Sequence, residues 1–297
     1  MSLATVERIR GAGLAFRGAG CSAPCAALAR RGRAKEDGGQ VRLPPPPWIA
    51  AHRGALPLLE NTIPALARAV EEGADLLEFD VQATADDVLV LFHDADLGRL
   101  AGRPEVTVER TPHRELAVVE LRHPERPDAT GRIPTLDALL AALPPEMPVN
   151  IELKAGRVDR GRLAELALAA TSGRENVLFS SFDAAVLREL RRRRATALLA
   201  PLARRWTPGL ERLGEELAAW SLHVAQGIAR ARASRAAGGG DAGGGPPLLV
   251  YTVNDAARAR KVLAEGAAGL FTDRPAPLRA ELGALGESGV LSTAYRG

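Results

Sequence analysis

Carboxylate side chains recur at matched places in the 297-residue chain, within short apolar runs typical of buried strands. Glu78 and Asp80 lie two residues apart in DLLEFDV, and Glu152 lies in PVNIEL. Alternate residues of a strand point to one face, so Glu78 and Asp80 share a face. Three carboxylates in one partly buried site would repel each other, and a hard divalent cation removes that repulsion. Oxygen ligands suit Mg²⁺ or Ca²⁺ better than Zn²⁺. The pattern predicts a metal site; the alternative is separate ion pairs with some of the 36 arginines.

Two histidines end runs of the same kind. His52 ends WIAAH, and His93 ends VLVLFH. A phosphodiester displacement needs a base for the attacking oxygen and an acid for the leaving alkoxide, and imidazole serves either purpose near neutral pH. We therefore predict that His52 and His93 form the catalytic pair, with the assignment of acid and base left open. His113 and His123 are predicted to be solvated, and His223 is a candidate for the pocket wall.

Two cations stand next to these groups. Arg53 follows the first histidine, and Lys154 lies two residues after the last acid in a chain that has only three lysines. Such cations neutralise phosphate oxygens, so Arg53 and Lys154 are predicted to hold a phosphate; ion pairs with the neighbouring acids are the alternative. Glu60 is left undecided between orienting Arg53 and lining the site. Asn61 and Thr62 are interpreted as structural, with Thr62 as a helix N-cap.

Nine apolar runs alternate with amphipathic segments, which is typical of a parallel sheet with helices between its strands. Over residues 48–285 this alternation favours a TIM-type (β/α)8 barrel. Only QATADD separates the second and third runs, too few residues for a parallel crossover, so these two runs are predicted to form an antiparallel hairpin. A turn at Asp86 and Asp87 would pair His93 with Asp80. Active sites of such barrels lie at the carboxyl ends of the strands, where the predicted site residues fall.

Composition divides the chain into segments. Residues 1–47 are predicted to be a basic N-terminal extension of low order that ends in PPPP, and residues 48–285 the barrel. Residues 95–134 are an irregular insertion after the hairpin, GGGDAGGG at 238–245 is a flexible loop, and residues 286–297 are a tail. Lys and Arg exceed Asp and Glu by five in the extension and fall short by two in the rest, which together give the net charge of +3. The barrel therefore lacks the positive charge typical of nucleic-acid binding.

The remaining features bear on partners and location. No apolar run approaches the ~18 residues of a membrane span, so no integral membrane segment is predicted. Cys21 and Cys25 both lie in the extension, and a barrel without cysteine fits a reducing compartment. We predict a cytoplasmic protein whose partner is a small-molecule substrate; the sequence leaves the oligomeric state open.

The motifs AHRG, LENT, GADLLEFDVQATADDVLVLFHDADL, GRIPTLDALL, NIELK, LFSSF, YTVN and LFTDRP, in this order from about Trp48 to Leu282, resemble the glycerophosphodiester phosphodiesterase family. The resemblance implies a TIM barrel with a small insertion after the second histidine. It also implies metal-dependent hydrolysis of glycerophosphodiesters to an alcohol and glycerol 3-phosphate. By matching positions, it makes His52 and His93 the acid–base pair and assigns the metal and phosphate to the following residues: Glu78, Asp80 and Glu152 for the metal, Arg53 and Lys154 for the phosphate.

The sequence departs from the family's usual residues at three positions. Leu59, Asp87 and Tyr251 stand where the family usually has proline, glycine and tryptophan; the first two affect loop geometry, and the third the wall facing the alcohol.

One alternative function is that of a phosphodiesterase of the lysophospholipase D type, which would need an apolar channel, for instance from Trp206, Trp220 and the insertion. The other is a barrel that binds sugar phosphates without catalysis. Attack by water and attack by the substrate's own glycerol hydroxyl both remain open.

Overall fold

The computed structural model of the protein describes residues 41–237 and 244–283. The predictions made for the N-terminal extension up to residue 40, for the glycine-rich loop at 238–243 and for residues 284–297 lie outside the described residues. Within the described ranges, no helix combines the length and the apolar character that a bilayer crossing requires.

Eight parallel strands close into a barrel, which confirms the predicted fold. Around the barrel the order is β1, β2, β8, β9, β10, β11, β12, β13 and back to β1. The bounds of the strands are β1 Trp48–His52, β2 Leu76–Ala83, β3 Leu89–Leu91, β4 Asp96–Leu97, β5 Arg103–Thr107, β6 Leu121–His123, β7 Arg126–Gly131, β8 Val149–Leu153, β9 Val177–Ser181, β10 Leu198–Ala203, β11 Leu222–Val224, β12 Leu248–Val250 and β13 Gly269–Thr272.

Helices connect the strands of the barrel, and the first shows why they begin where they do. Thr62 Oγ1 accepts a hydrogen bond from the Ala65 backbone N–H, so Thr62 is the predicted N-cap. The helices are Ile63–Glu71, Leu136–Ala142, Arg160–Ala170, Ala184–Arg193, Pro208–Glu216, Ile228–Ala237, Ala256–Ala264 and Pro275–Gly283, with shorter ones at Gly98–Ala101 and His113–Leu116 and a 3-10 turn at Val108–Arg110.

The β2–β3 hairpin is antiparallel as predicted, but its predicted register is wrong by one residue. Val81 pairs with Leu91 and Ala83 with Leu89, so that Phe92 rather than His93 lies opposite Asp80. The Thr84 backbone N–H donates to the Val88 carbonyl, which closes a three-residue loop instead of a two-residue turn. The last residue of that loop, Asp87, has φ +61°, the left-handed conformation such loops require and glycine usually supplies.

Apolar side chains fill much of the barrel below its mouth. Ala50, Leu76, Leu249 and Phe271 form a buried cluster inside the barrel, against which Trp48 packs. Two larger clusters lie between the strands and the outer helices. The predicted site residues lie beyond this packed interior, at the mouth of the barrel where the strands end.

The insertion is more regular than predicted. The strands β4 and β5 form one small antiparallel sheet, and β6 and β7 form another. Short helices lie between them, and the insertion has its own apolar cluster, which includes Leu97, Leu100 and Val108. This cluster fixes the segment that follows His93 to the mouth of the barrel.

Candidate active site

Glu78, Asp80 and Glu152 converge at the mouth of the barrel. Glu78 and Asp80 lie on β2, and the parallel register of β2 and β8 sets Asp80 beside Glu152. One carboxylate oxygen from each side chain lies within 4.8 Å of the others. The three residues are 3, 0 and 7% exposed, so water screens the repulsion between their charges only weakly. We call these three residues the acidic triad.

Burial and mutual repulsion shift the ionisation of the acidic triad. Burial raises the pKa of Glu78 well above its ordinary value, and repulsion from Asp80 and Glu152 adds to the increase. Burial also raises the pKa of Glu152, and Asp80 contributes. The pKa of Asp80 moves the other way: burial opposes ionisation, but the cations Arg53 and Lys154 outweigh it and hold this pKa well below its ordinary value.

The acidic triad fits a divalent cation. Its three buried side chains converge on one point, and two cationic side chains stand against three carboxylates, which leaves one negative charge unbalanced. The donors are all carboxylate oxygens, the ligands that hard cations such as Mg²⁺ and Ca²⁺ prefer. Burial is the main cause of the raised pKa of Glu78, and the two neighbouring carboxylates add to it, so a bound cation would lower this pKa. Glu78, Asp80 and Glu152 are therefore the residues that could hold the metal.

Arg53 and Lys154 flank the acidic triad and pair with it. Arg53 Nε lies 3.0 Å from Asp80 Oδ2, and Lys154 Nζ lies 2.9 Å from Asp80 Oδ1 and also contacts Glu152. The ion pairs considered as the alternative to phosphate binding are therefore present. Both side chains are about one-fifth exposed, 18 and 21%, so each also faces the open mouth.

The His52 ring is held by a carboxylate from the last strand of the barrel. His52 Nδ1 lies 2.7 Å from Asp273 Oδ1, just past the end of β13. Asn254 Nδ2 donates to the other carboxylate oxygen at 2.5 Å, while Asn254 Oδ1 accepts from Thr272 and from the Asp273 backbone N–H. Burial opposes ionisation of Asp273, but the hydrogen bond from His52 keeps its pKa below the ordinary value.

His93 has a matching partner on its own loop. His93 Nδ1 lies 2.7 Å from Asp94 Oδ1, and Arg99 Nε donates to Asp94 Oδ2 at 2.6 Å. Burial opposes ionisation of Asp94, but the hydrogen bonds from His93 and Arg99 lower its pKa to about 2. Because each carboxylate accepts from Nδ1, Nε2 is the nitrogen of each ring that can meet a substrate.

The two histidines lie next to the acidic triad. His52 pairs with Glu78 in the parallel register of β1 and β2, and the charge of His93 contributes to the lowered pKa of Asp80. All seven residues predicted for the site therefore meet at one end of the barrel: His52, Arg53, Glu78, Asp80, His93, Glu152 and Lys154.

Sequence reasoning missed the residues that support these groups. Asn61, interpreted as structural, donates from Nδ2 to Asp80 Oδ2 at 2.9 Å and accepts from the Asp80 backbone N–H at 3.1 Å. Glu60, which the sequence left undecided between orienting Arg53 and lining the site, accepts a hydrogen bond from Arg53 at 3.2 Å and also binds Arg99. The sequence marked Asp273 and Asp94 only as polar residues that follow apolar runs. It gave no indication of a role for Arg99, because the segment that contains Arg99 has no regular hydrophobic period.

The other candidates were His223 and two tryptophans. His223 is fully buried inside the barrel, where Ser221 Oγ lies 2.9 Å from its Nε2, and burial lowers its pKa to about 3. Trp220 stacks on Trp48 at the opposite end of the barrel, with ring centroids 5.3 Å apart. Trp206 packs in the cluster between the strands and the outer helices. Trp206 follows the carboxyl end of β10, where its backbone N–H donates to the Gln226 carbonyl, and it is 8% exposed.

Comparison with known proteins gives a consistent result. Residues 51–277 match the model of the glycerophosphoryl diester phosphodiesterase family. YhdW of Bacillus subtilis, assigned as a glycerophosphodiester phosphodiesterase, is 31% identical over 234 residues, which are 77% of this chain and 95% of that protein. A glycerophosphodiester phosphodiesterase of Thermotoga maritima has a similar structure, with a TM-score of 0.60 and 28% identity over 78% of this chain and 96% of that one.

A second solved structure supports the fold. A phosphodiesterase of Oleispira antarctica, in complex with the product sn-glycerol-3-phosphate, has a TM-score of 0.69 and 23% identity to this chain. The similarity covers 81% of this chain and 97% of that one.

Proposed function

Because the chain belongs to the glycerophosphoryl diester phosphodiesterase family, we propose that it hydrolyses glycerophosphodiesters to an alcohol and glycerol 3-phosphate, with His52 and His93 as the proton-transfer pair. The single observation that carries this proposal is the pairing of both imidazoles with carboxylates through Nδ1, next to the acidic triad. A lone histidine on a barrel strand would have a structural explanation. Two rings oriented in the same way at one mouth can supply the base and the acid that a displacement at phosphorus uses.

The proton steps follow from the orientation of the rings. One imidazole accepts at Nε2 the proton of the attacking oxygen as its bond to phosphorus forms. The other ring, which starts as the imidazolium, gives its Nε2 proton to the alkoxide as the bond between phosphorus and the alcohol oxygen breaks, so that the alcohol leaves neutral. Asp273 and Asp94 keep each ring in the tautomer that presents Nε2, and they stabilise the imidazolium form.

The acidic triad and its flanking cations would hold the phosphate. We propose that Glu78, Asp80 and Glu152 bind Mg²⁺ or Ca²⁺, which supplies Lewis-acid stabilisation of charge on the phosphoryl oxygens when bound. Arg53 and Lys154 stand on either side of Asp80 and remain partly open to the mouth. Each would bind a non-bridging phosphate oxygen as well as the triad, and the guanidinium of Arg53 would do so with the N–H groups that its contacts with Asp80 and Glu60 leave free.

Glycerol 3-phosphate release tests the proposed function. The full chain is incubated with glycerophosphocholine and, separately, with lysophosphatidylcholine, each with excess Mg²⁺ or Ca²⁺ and again with EDTA. We expect release from glycerophosphocholine that stops with EDTA and returns with the cation. Turnover of lysophosphatidylcholine alone, measured as choline release because its other product keeps the acyl chain, would support the lysophospholipase D alternative instead. Binding of glycerol 3-phosphate without any product after long incubation would show a barrel that only binds.

A further inference from the structure

A row of alternating charges connects the acidic triad to His93 through the insertion. Starting at the triad, Arg53 binds both Asp80, at 3.0 Å, and Glu60, at 3.2 Å. The other contacts of the row run from Glu60 to Arg99, from Arg99 to Asp94 and from Asp94 to His93. Each member touches the next, so a displacement of one changes the contacts of its neighbours.

Arg99 is the member of this row that the insertion contributes. It lies on the short helix Gly98–Ala101, whose Leu100 is buried in the apolar cluster of the insertion. Arg99 Nε donates to Asp94 at 2.6 Å, and its two terminal nitrogens donate to both oxygens of Glu60 at 2.6 and 2.9 Å. A planar guanidinium can satisfy both carboxylates at once, whereas a lysine ammonium is a single point.

We propose that Arg99 is a positioning residue that fixes His93 and Arg53 relative to each other, an inference that rests on the proposed function of the site. Arg99 acts on His93 through Asp94: it binds Oδ2 of this carboxylate, and Oδ1 holds the ring. It acts on Arg53 through Glu60, which both arginines share. Within the described residues, the ion pairs of Arg99 are with Glu60 and Asp94 and not with the acidic triad, so its effect is transmitted through these two carboxylates.

A purely structural role for Arg99 predicts a different outcome. Arg99 is 36% exposed, but it belongs to a network and binds Glu60 through two nitrogens, the arrangement in which exposed ion pairs do contribute to stability. A purely structural role would therefore lower Tm and leave the kcat of the folded chain unchanged. A positioning role lowers kcat itself, because a small displacement of a proton-transfer group lowers the rate steeply.

The first test combines Arg99→Gln with changes at the two histidine partners. We expect Arg99→Gln to lower kcat about ten-fold with a much smaller change in KM, and Arg99→Lys to recover part of the loss. Combined with Asp94→Asn, the losses should be strongly non-additive, because both changes release the same ring. When Arg99→Gln is combined with Asp273→Asn, which releases the ring of His52, the two fold-losses in kcat should multiply. Arg103→Gln removes an exposed arginine of the same insertion and serves as the matched control.

The second test does not depend on activity. In the metal-free chain, the Nδ1 protons of His52 and His93 should give separate downfield proton resonances because each is bound to a carboxylate, and His93→Asn assigns the second. Arg99→Gln should broaden or remove the His93 resonance and leave that of His52 in place. Should Arg99→Gln not fold, Arg99→Lys serves in both tests.

The outcomes separate this inference from the proposed function. Unchanged kcat and unchanged resonances in Arg99→Gln, or losses that multiply with Asp94→Asn, would overturn the role of Arg99 even if the wild-type chain is fully active. A wild-type chain that releases no glycerol 3-phosphate refutes the proposed function, and in that case the resonances still decide whether Arg99 positions His93.

Discussion

Nδ1 of His52 lies 2.7 Å from Oδ1 of Asp273, across the neighbouring strands β1 and β13 that close the barrel. The closure of the barrel thus brings together two residues that are 221 positions apart in the chain. Asn254 holds the other oxygen of the same carboxylate, so the orientation of the ring depends on three strands that end at one mouth.

We expect Asp273→Asn to lower kcat by about ten- to a hundred-fold with little change in KM, because an amide does not fix the tautomer or stabilise the imidazolium. Steady-state kinetics on glycerophosphocholine measure this effect. Asp128→Asn, at an exposed position in the insertion, is the matched control. A variant with the kinetics of the wild type would mean that Asp273 does not orient His52 in catalysis.

The acidic triad should make stability depend on pH and on the cation. The pKa values of Glu78 and Glu152 are raised in the folded chain, so these groups contribute stability at low pH that is lost as the pH rises through the raised values. The pKa of Asp80 is lowered in the folded chain, so its contribution to stability is lost as the pH falls, and this loss begins only below about pH 4. In EDTA we therefore expect Glu78→Gln to unfold at a higher Tm than the wild type at pH 8, and the difference to shrink towards pH 5.

The same variant should lose its response to the metal. A cation at about 100 times its Kd stabilises the folded wild-type chain by about 2.7 kcal/mol. Thermal unfolding with and without Mg²⁺ or Ca²⁺ should show a clear increase in Tm for the wild type and a much smaller one for Glu78→Gln. An equal increase in both proteins would place the metal elsewhere.

Asn61 should tune the metal affinity through Asp80. Its amide binds the Asp80 carboxylate and the Asp80 backbone N–H, and its φ of +54° makes glycine the least disruptive replacement. We expect Asn61→Gly to weaken Mg²⁺ or Ca²⁺ binding about ten-fold by calorimetry, because outer partners orient the ligands of a metal. Asn176→Gly is matched to it: Asn176 has φ +59° and side-chain hydrogen bonds, but it precedes β9 at the opposite end of the barrel. Similar affinities in both variants would argue against this role for Asn61.

His223 should affect stability at acid pH and leave catalysis intact. Burial lowers its pKa to about 3, so the neutral ring contributes stability above the unfolded value of about 6.5, and that stability is lost as the pH falls towards the folded value. Urea unfolding of the wild type and of His223→Leu at pH 7, 5.5 and 4.5 measures the effect. We expect the stability of the variant to fall less steeply with acid, by up to about 1.4 kcal/mol per pH unit. Parallel slopes would mean that His223 is not held neutral.

The sequence predicts the barrel and the main site residues for one physical reason. Parallel strands with helices between them all end at the same face, so polar residues that follow apolar runs must meet there. His52, Glu152 and the Glu78–Asp80 pair could therefore be placed without coordinates.

Two features did not follow from the pattern. The hairpin register shifted by one residue because Asp87 adopts the left-handed conformation and lengthens the turn, and the predicted two-residue turn had no glycine to indicate this. Arg99 reaches Asp94 and Glu60 only because the insertion folds back over the mouth. No periodic pattern in residues 95–134 encodes that contact.

The most direct measurement of the proposed mechanism is the kcat for glycerophosphocholine of His52→Ala and His93→Ala, each at a saturating cation concentration and each shown to be folded. We predict a fall of about a hundred-fold or more for each variant, because each ring transfers one of the two protons. If either variant kept a kcat close to that of the wild type, the two imidazoles beside the acidic triad would not be the acid and base of the reaction.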